Sequence, residues 1–330
     1  MLPDFAANLY FYPMNQRFAA FGCLLTAVLA CLPVYTQEPE VFTRADFDLR
    51  GPVKSCVVKA NYGEEHFEFD RDGRLVKSLT RYSDADYDIT YYFYQGGELK
   101  ERRDEVYRNK TFDQQTSIAH FYERDTVANR LLERIVSYDR NFQEQVVLEY
   151  DQNGVLQRIV RSDPEGVDET QVEYASFRDE QTTSYLMGGV LQKSMRTSSQ
   201  GRGEQRQMVE LTKEYIEGQP QRAREKTRDT RGLLLAETVF HFDPEKNEFT
   251  PEQTTRYSYN EIGLLVQETT RGAEKGESKN QTRQYVYQMD GADPGNWVRQ
   301  VITPDNTVVV RQIIYYKPEL PESQADSVRG

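Results

Sequence analysis

One recurring motif constrains what this chain can fold into. An aromatic, a spacer, a second aromatic, Asp or Asn, two residues, Gly, a spacer and a large apolar residue return along the sequence. Phe67, Phe69, Asp70, Gly73 and Leu75 form the first copy. Tyr91, Phe93, Gly97 and Leu99 form the second, and Leu148, Tyr150, Asp151, Gly154 and Leu156 the third. Tyr185, Gly189 and Leu191 keep the aromatic, the glycine and the leucine, whereas Asp229, Gly232 and Leu234 lack the aromatic pair. Tyr257, Tyr259, Asn260, Gly263 and Leu265 are nearly complete, and Tyr285 with Tyr287 opens a last copy delayed to Gly295 and Trp297. The wide gap between Gly97 and Gly154 predicts a degenerate copy over Tyr122 to Leu131, with Asn129 at the turn.

Each copy reads as a β-hairpin. Aromatics two apart share a strand face. Asp or Asn opens a turn through side-chain bonds to its own backbone, and Gly supplies the positive φ. The apolar residue two places on returns to the aromatic face and packs across strands. Asp70, Gly73, Gly97, Asp151, Gly154, Gly189, Asp229, Gly232, Asn260, Gly263 and Gly295 are therefore assigned to turns. A single hairpin is unstable in water, but a row of them pools its aromatic face. The expected fold is all-β: an elongated, twisted antiparallel sheet of repeated β-hairpins over 47–317, open along its edges. The 126–136 segment is the one place that suggests a short helix before an extended stretch at 134–138.

The N-terminus reads as an export signal. Arg17 precedes the apolar run Phe18 to Val28, too short to span a bilayer and suited to a signal helix. Residues 1–36 are assigned to the signal peptide, with Met14 as an alternative start and cleavage after Thr36. The rival is lipidation of Cys31, which follows Ala30. A linker over 37–46 and a polar tail over 318–330 complete the organisation. Either export route places the chain outside the cytoplasm: in the periplasm, at the cell surface or outside the cell.

The copies resemble those of the YD-repeat proteins, the family that includes the bacterial RHS proteins. Phe69, Asp70, Gly73 and Leu75, then Tyr150, Asp151, Gly154 and Leu156, then Tyr259, Asn260, Gly263 and Leu265 carry the likeness. The opening Leu49 to Ser55 and the closing Gly295 to Trp297 look like the ends of small exported repeat proteins of Bacteroidetes-type bacteria. The resemblance implies a curling β-repeat and an exported location. It implies a Gram-negative setting and no activity, and no terminal toxin domain like that of long RHS proteins is expected.

Reactive residues are few. Three His and three Cys, two of those Cys in the apolar leader, leave Cys56 alone in the remainder and make a disulfide or a His/Cys metal centre unexpected. No cofactor is expected. His66, His120 and His241 stand beside aromatics without a nucleophile motif. Asp70 to Gly73 lacks the further oxygen ligands of a calcium loop. Arg222, Arg224, Lys226 and Arg228 alternate and so share one strand face, read as solvated and cross-paired with acids, or alternatively as an anion-binding stripe.

Acidic residues number 53 against 41 basic ones, a formal charge of -12, which argues against general nucleic-acid binding. Mean hydropathy is -0.77, unlike a membrane barrel. Of the aromatics, Tyr91, Phe93, Tyr257, Tyr259, Tyr285 and Tyr287 are placed on the packed inner face. Tyr92, Tyr94 and Tyr316 are then placed outward as a candidate ligand surface. Trp297, the single Trp, is expected to plug the end of the core and is the further candidate platform. The expected function is non-enzymatic: an exported binding or scaffolding surface for an envelope protein or polysaccharide. The alternative is an envelope glycan hydrolase that uses paired Asp or Glu.

Overall fold

The computed structural model describes residues 39–317 apart from Tyr62, Arg140, Lys275 and Gly276. The signal segment, Cys31 and the 318–330 tail lie outside the described residues. Among the described residues twenty strands follow one another. They are β1 Val53–Ala60, β2 Gly63–Phe69, β3 Leu75–Arg81, β4 Tyr87–Gln95, β5 Glu98–Arg108, β6 Thr111–Asp125 and β7 Arg130–Ser137. Next come β8 Phe142–Tyr150, β9 Leu156–Ser162, β10 Val167–Phe177, β11 Glu180–Met187, β12 Val190–Gln200, β13 Gln207–Ile216 and β14 Gln219–Arg228. The last six are β15 Leu234–Asp243, β16 Glu248–Tyr259, β17 Leu265–Glu274, β18 Glu277–Met289, β19 Trp297–Thr303 and β20 Thr307–Tyr315. The 126–129 segment is a turn and β7 follows it directly, so no helix forms there.

The all-β expectation stands, but the open sheet does not: the sheet closes. Every strand pairs antiparallel with the next, and β1 pairs antiparallel with β20, setting Cys56 against Ile313 and Val58 against Arg311. The result is a closed barrel. The hairpin repeat dictates pairing between consecutive strands and is silent on whether the first and last meet. Left open, β1 and β20, both rich in β-branched residues, would each present an unpaired backbone edge; closure removes both edges.

The turns that join even-numbered strands to odd-numbered ones lie at one end of the barrel. Four are built alike. Asp70, Asp151, Asp229 and Asn260 each accept, through Oδ1, the backbone N–H four residues on, at 2.8, 2.9, 2.8 and 2.9 Å. Gly73, Gly154, Gly232 and Gly263 follow at φ of 93, 78, 84 and 82°. A tyrosine on the next strand locks each copy from the inside. Tyr94, Tyr174, Tyr259 and Tyr287 donate their hydroxyls to the carbonyls of Leu75, Leu156, Leu234 and Leu265 at 2.7–2.9 Å. Gly97 and Asn129 have positive φ in turns at this same end. Gly189 has positive φ too, but it joins β11 to β12 at the opposite end. Gly295 is not at positive φ; in that longer turn Gly291 takes the conformation, at 78°.

No atom lies within 4 Å of a Cβ placed on Gly154, so only backbone strain opposes a side chain there. Gly154→Val should cost about 1–3 kcal/mol. Asp151→Asn should be near neutral, because Asn260 makes the same bond. Urea midpoints of the two variants check this pair of expectations.

The N-terminal segment identifies the inner face. Residues 44–47 form a 3-10 turn. Phe47 and Leu49 pack in one cluster with Val58, Phe67, Leu75, Tyr92, Leu99, Tyr122, Leu264, Trp297 and Val309. Those partners come from strands or turns spanning half the ring, from β16 through the β20–β1 seam to β6. Only the concave side can present them all to one short segment. Arg44 donates to the carbonyls of Asp70 and Arg71 at 2.6 and 3.1 Å. Arg50 reaches the Ile262 carbonyl, and its backbone N–H meets Asn296 Oδ1 at 2.8 Å. Part of the stretch expected as a linker, Phe42 to Asp46, thus belongs to a strap across the turn end of the barrel. Paired residues share a face, so the register carries the inner face around the whole ring.

Candidate functional site

On the outer wall, strands β4 to β7 hold a strip of rings. Tyr87 stacks on Tyr107 with centroids 4.6 Å apart. Tyr107 meets Phe112 at 5.5 Å, and Phe112 meets Tyr138 at 5.1 Å. Tyr91 and Phe93 continue the strip along β4 at 6.4 Å, and Arg103 lies 5.2 Å from the Phe93 centroid. Glu105 sits between the rings and accepts from the hydroxyls of Tyr107 and Tyr138, both at 2.9 Å. Burial, with Glu105 adding to it, pushes the Tyr107 phenol up to about 12. Phe93 is 44% exposed. Ring faces, a carboxylate and guanidinium groups therefore line one patch open to solvent.

Elsewhere the outer wall carries charge at mid-strand on several strands, whereas β18 and β20 expose Val286, Val308, Val310 and Ile314. Glu68 pairs in register with Lys77, Tyr91 with Arg103, and Glu149 with Arg158. Each such Arg or Lys would cost about 2–4 kcal/mol in the middle of a bilayer and each Glu less, so these charged strands suit water. Among the described residues no helix is long and apolar enough to cross a membrane.

The inner wall carries a buried polar cluster opposite the strip. His120 on β6 is 5% exposed. Its Nδ1 lies 2.8 Å from Glu133 Oε1, and its Nε2 lies 3.3 Å from Asp104 Oδ2 and 2.7 Å from an Arg102 nitrogen. Thr90 donates to Asp104 at 2.8 Å, and Arg102 Nε donates to the other Asp104 oxygen at 3.0 Å. Burial alone would lower the imidazole pKa; the bonds to Asp104 and Glu133 outweigh it, and the pKa is raised. Burial opposes ionisation of Asp104 and Glu133, yet His120 and Arg102 hold both below their ordinary values.

The inner carboxylates that could serve a hydrolase are engaged in the same way. Glu268 is 5% exposed, accepts from Tyr285 at 2.9 Å, and burial raises its pKa. Glu237 pairs with Arg224 at 3.2 Å. The Arg222, Arg224, Lys226 and Arg228 series shares the face of Glu237, so it is lumenal. Among the described residues no group of three or more His, Cys, Asp or Glu is placed to hold a metal ion.

The ligand-surface residues expected from the sequence fall elsewhere. Tyr92 is 4% exposed and Trp297 is 3% exposed, both in the core beneath the strap. Tyr94 is half-buried and spends its hydroxyl on Leu75. Tyr316 donates to the Phe69 carbonyl at 2.6 Å, with the Arg71 guanidinium 4.9 Å from its ring. The alternation is inverted on β4: Tyr92 and Tyr94 face in, Tyr91 and Phe93 face out. Four consecutive aromatics satisfy the two-residue period in either phase, and the strap decides which phase is buried. Tyr285 is 4% exposed and does lie inside, as do the half-buried Tyr257, Tyr259 and Tyr287. Cys56 is a free thiol, 1% exposed, and burial pushes its pKa up to about 11.

No known family profile matches the sequence, and no curated protein matches it. Solved structures offer remote likenesses. A porin-like protein from Bacteroides uniformis is 10% identical, with a TM-score of 0.32, over 80% of this chain and 98% of its own. A protein of unknown function from Bacteroides fragilis is 9% identical, with a TM-score of 0.20, over 52% of this chain and 92% of its own. The TcdB2–TccC3 structure is 10% identical, with a TM-score of 0.19, over 84% of this chain and 20% of its own.

Proposed function

We propose that this chain is an exported, non-enzymatic β-barrel of a Gram-negative cell envelope that binds polysaccharide along its outer aromatic strip. One observation carries the reading: the Tyr87–Tyr107–Phe112–Tyr138 ladder with Tyr91 and Phe93 beside it on the outer wall. Apolar ring faces edged by hydroxyls, Glu105 and Arg103 match the mixed apolar and hydrogen-bonding character of a pyranose. Rings on adjacent strands repeat at the strand spacing of about 4.8 Å, which suits an extended chain of sugars laid across the strands. The export part of the reading rests on Arg17 and the Phe18 to Val28 run.

A glycan array probed with the Gln37–Gly330 fragment, followed by calorimetry on the best ligand, tests the binding. Tyr91→Ala combined with Phe93→Ala should weaken it roughly tenfold, about 1.4 kcal/mol, with the fold retained by circular dichroism. Unchanged affinity in that variant removes the strip from the reading. Hydrolysis of the bound glycan by the purified protein would replace the binding reading with that of a hydrolase.

A further inference from the structure

The inner wall of β12 to β15 has a charge pattern that the outer strip does not use. Arg222, Arg224, Lys226 and Arg228 project into the barrel from one strand, as rungs about 7 Å apart. Lys193 faces inward two strands away, against Glu214. Only Glu210, Glu214 and Glu237 oppose these five cations in the flanking registers. Glu237 is taken by Arg224, and Arg228 leans on the Gly232 carbonyl at 3.1 Å. Lys226 is half-buried, and among the described residues no carboxylate lies within ion-pair distance of it or of Arg222. Glu210 and Glu237 face Lys226 in register and Glu214 faces Arg222, yet three carboxylates against five cations leave this stretch of wall two positive charges in excess, which an anion neutralises.

Access follows from the fold. Arg228 lies at the turn end, where the strap packs against the half of the ring from β16 round to β6. Arg222 stands at the other end of β14, beside the β13–β14 turn, and is exposed. Asp48 on the strap keeps uncovered surface although protein surrounds it, and burial raises its pKa. The rungs thus run from the exposed end of β14 towards the end that carries the strap.

We propose that the β14 rungs bind a linear oligoanion threaded along the inside of the barrel, one anionic group to each successive rung. The ligand carries phosphate or carboxylate groups at intervals that match alternate residues of a strand. Its site is separate from the outer strip, since the two faces of a closed sheet do not meet. Burial lowers the Lys226 pKa, with Glu237 and Glu210 opposing and Arg224 and Arg228 assisting, and an anion beside the ammonium would favour its charged form.

Calorimetry of the full exported chain with inorganic triphosphate and, in a second arm, trigalacturonate tests this at low and high salt. Binding of either probe is expected at low salt and should weaken as salt rises. Lys226→Gln and Arg222→Gln should each cost about tenfold in affinity. Arg256→Gln removes the same charge from the exposed outer wall and should change affinity less than about twofold. Lys226→Gln removes a half-buried charge that burial already disfavours, so its fold should persist. A tighter triphosphate assigns the site to phosphate esters, and a tighter uronate assigns it to acidic sugars. Failure of both probes at low salt, or an equal loss in Arg256→Gln, overturns the proposal. The outer-strip variant should leave triphosphate binding intact, which keeps the two sites distinguishable.

Discussion

Phe47→Ala will destabilise the barrel by about 3–5 kcal/mol, the range for emptying a buried aromatic site. Phe47 is 6% exposed and meets three rings: Phe67 at 4.6 Å, Phe69 at 5.3 Å and Phe42 at 6.5 Å. Its carbonyl also receives the Arg311 guanidinium at 3.0 Å. Arg311 in turn lies 3.5 Å from the centroid of Trp297, over its ring. The cavity therefore opens at the point where the strap holds β2, β19 and β20 together across the seam. Because Trp297 is the only tryptophan, its fluorescence reports this site alone. Emission should shift to the red in the variant, and the urea midpoint should fall. Phe177→Ala, at a ring 68% exposed, should stay within about 0.5 kcal/mol of the parent. A strap variant no less stable than that control would show that the seam does not depend on the strap.

The hairpins were legible because their turns have local chemistry. Asp at one place and Gly three later fix a backbone path without help from the rest of the fold, as the four matching turns around Gly73, Gly154, Gly232 and Gly263 show. Closure was not legible. Cys56 against Ile313 is a contact between residues 257 positions apart, and nothing in either strand names its partner. The strap was hidden for a similar reason. The stretch from Glu38 to Arg44 looks like a polar linker, and its grip runs through Arg44 and backbone carbonyls, which leave no pattern in sequence.

The face of β4 was misread because Tyr91 to Tyr94 are all aromatic, so periodicity could not choose between phases. A signal was present nonetheless. Tyr94 follows Leu75 by 19 residues as Tyr174 follows Leu156 by 18 and Tyr287 follows Leu265 by 22. In each copy the tyrosine that locks the turn must face in, and that rule places Tyr94 and Tyr92 inside and Tyr91 and Phe93 outside. The basic alternation on β14 was legible as a shared face. Its lumenal side depends on the register with Glu237 on β15, a relation between strands.

The polar cluster around His120 should give the protein a stability that declines with rising pH. The groups facing the imidazole are Arg102 and Asp104 from β5, Glu133 from β7, Tyr92 from β4 and Tyr122 on its own strand, with Glu144 on β8 and its partner Arg161 beyond. Protonated, Nδ1 donates to Glu133 and Nε2 to Asp104, and the two carboxylates balance His120 and Arg102. Deprotonated, Nε2 can only accept, from Arg102, and one buried carboxylate is left without its cation. The folded-state pKa lies above the ordinary value near 6.5, so the unfolded chain gives up this proton first. The contribution is therefore complete below about pH 6.5 and is lost as pH rises through the folded-state pKa. His120→Gln should remove that pH dependence, and by leaving Asp104 and Glu133 buried without an imidazolium it should cost about 3–5 kcal/mol at pH 6. Replacing Glu133 as well, with Gln, takes away one stranded charge and should recover part of the loss. Urea unfolding of the parent and both variants between pH 5.5 and pH 9 measures this. A parent whose stability holds level across that range while His120→Gln is strongly destabilised would mean that the imidazole acts there as a neutral hydrogen-bonding group.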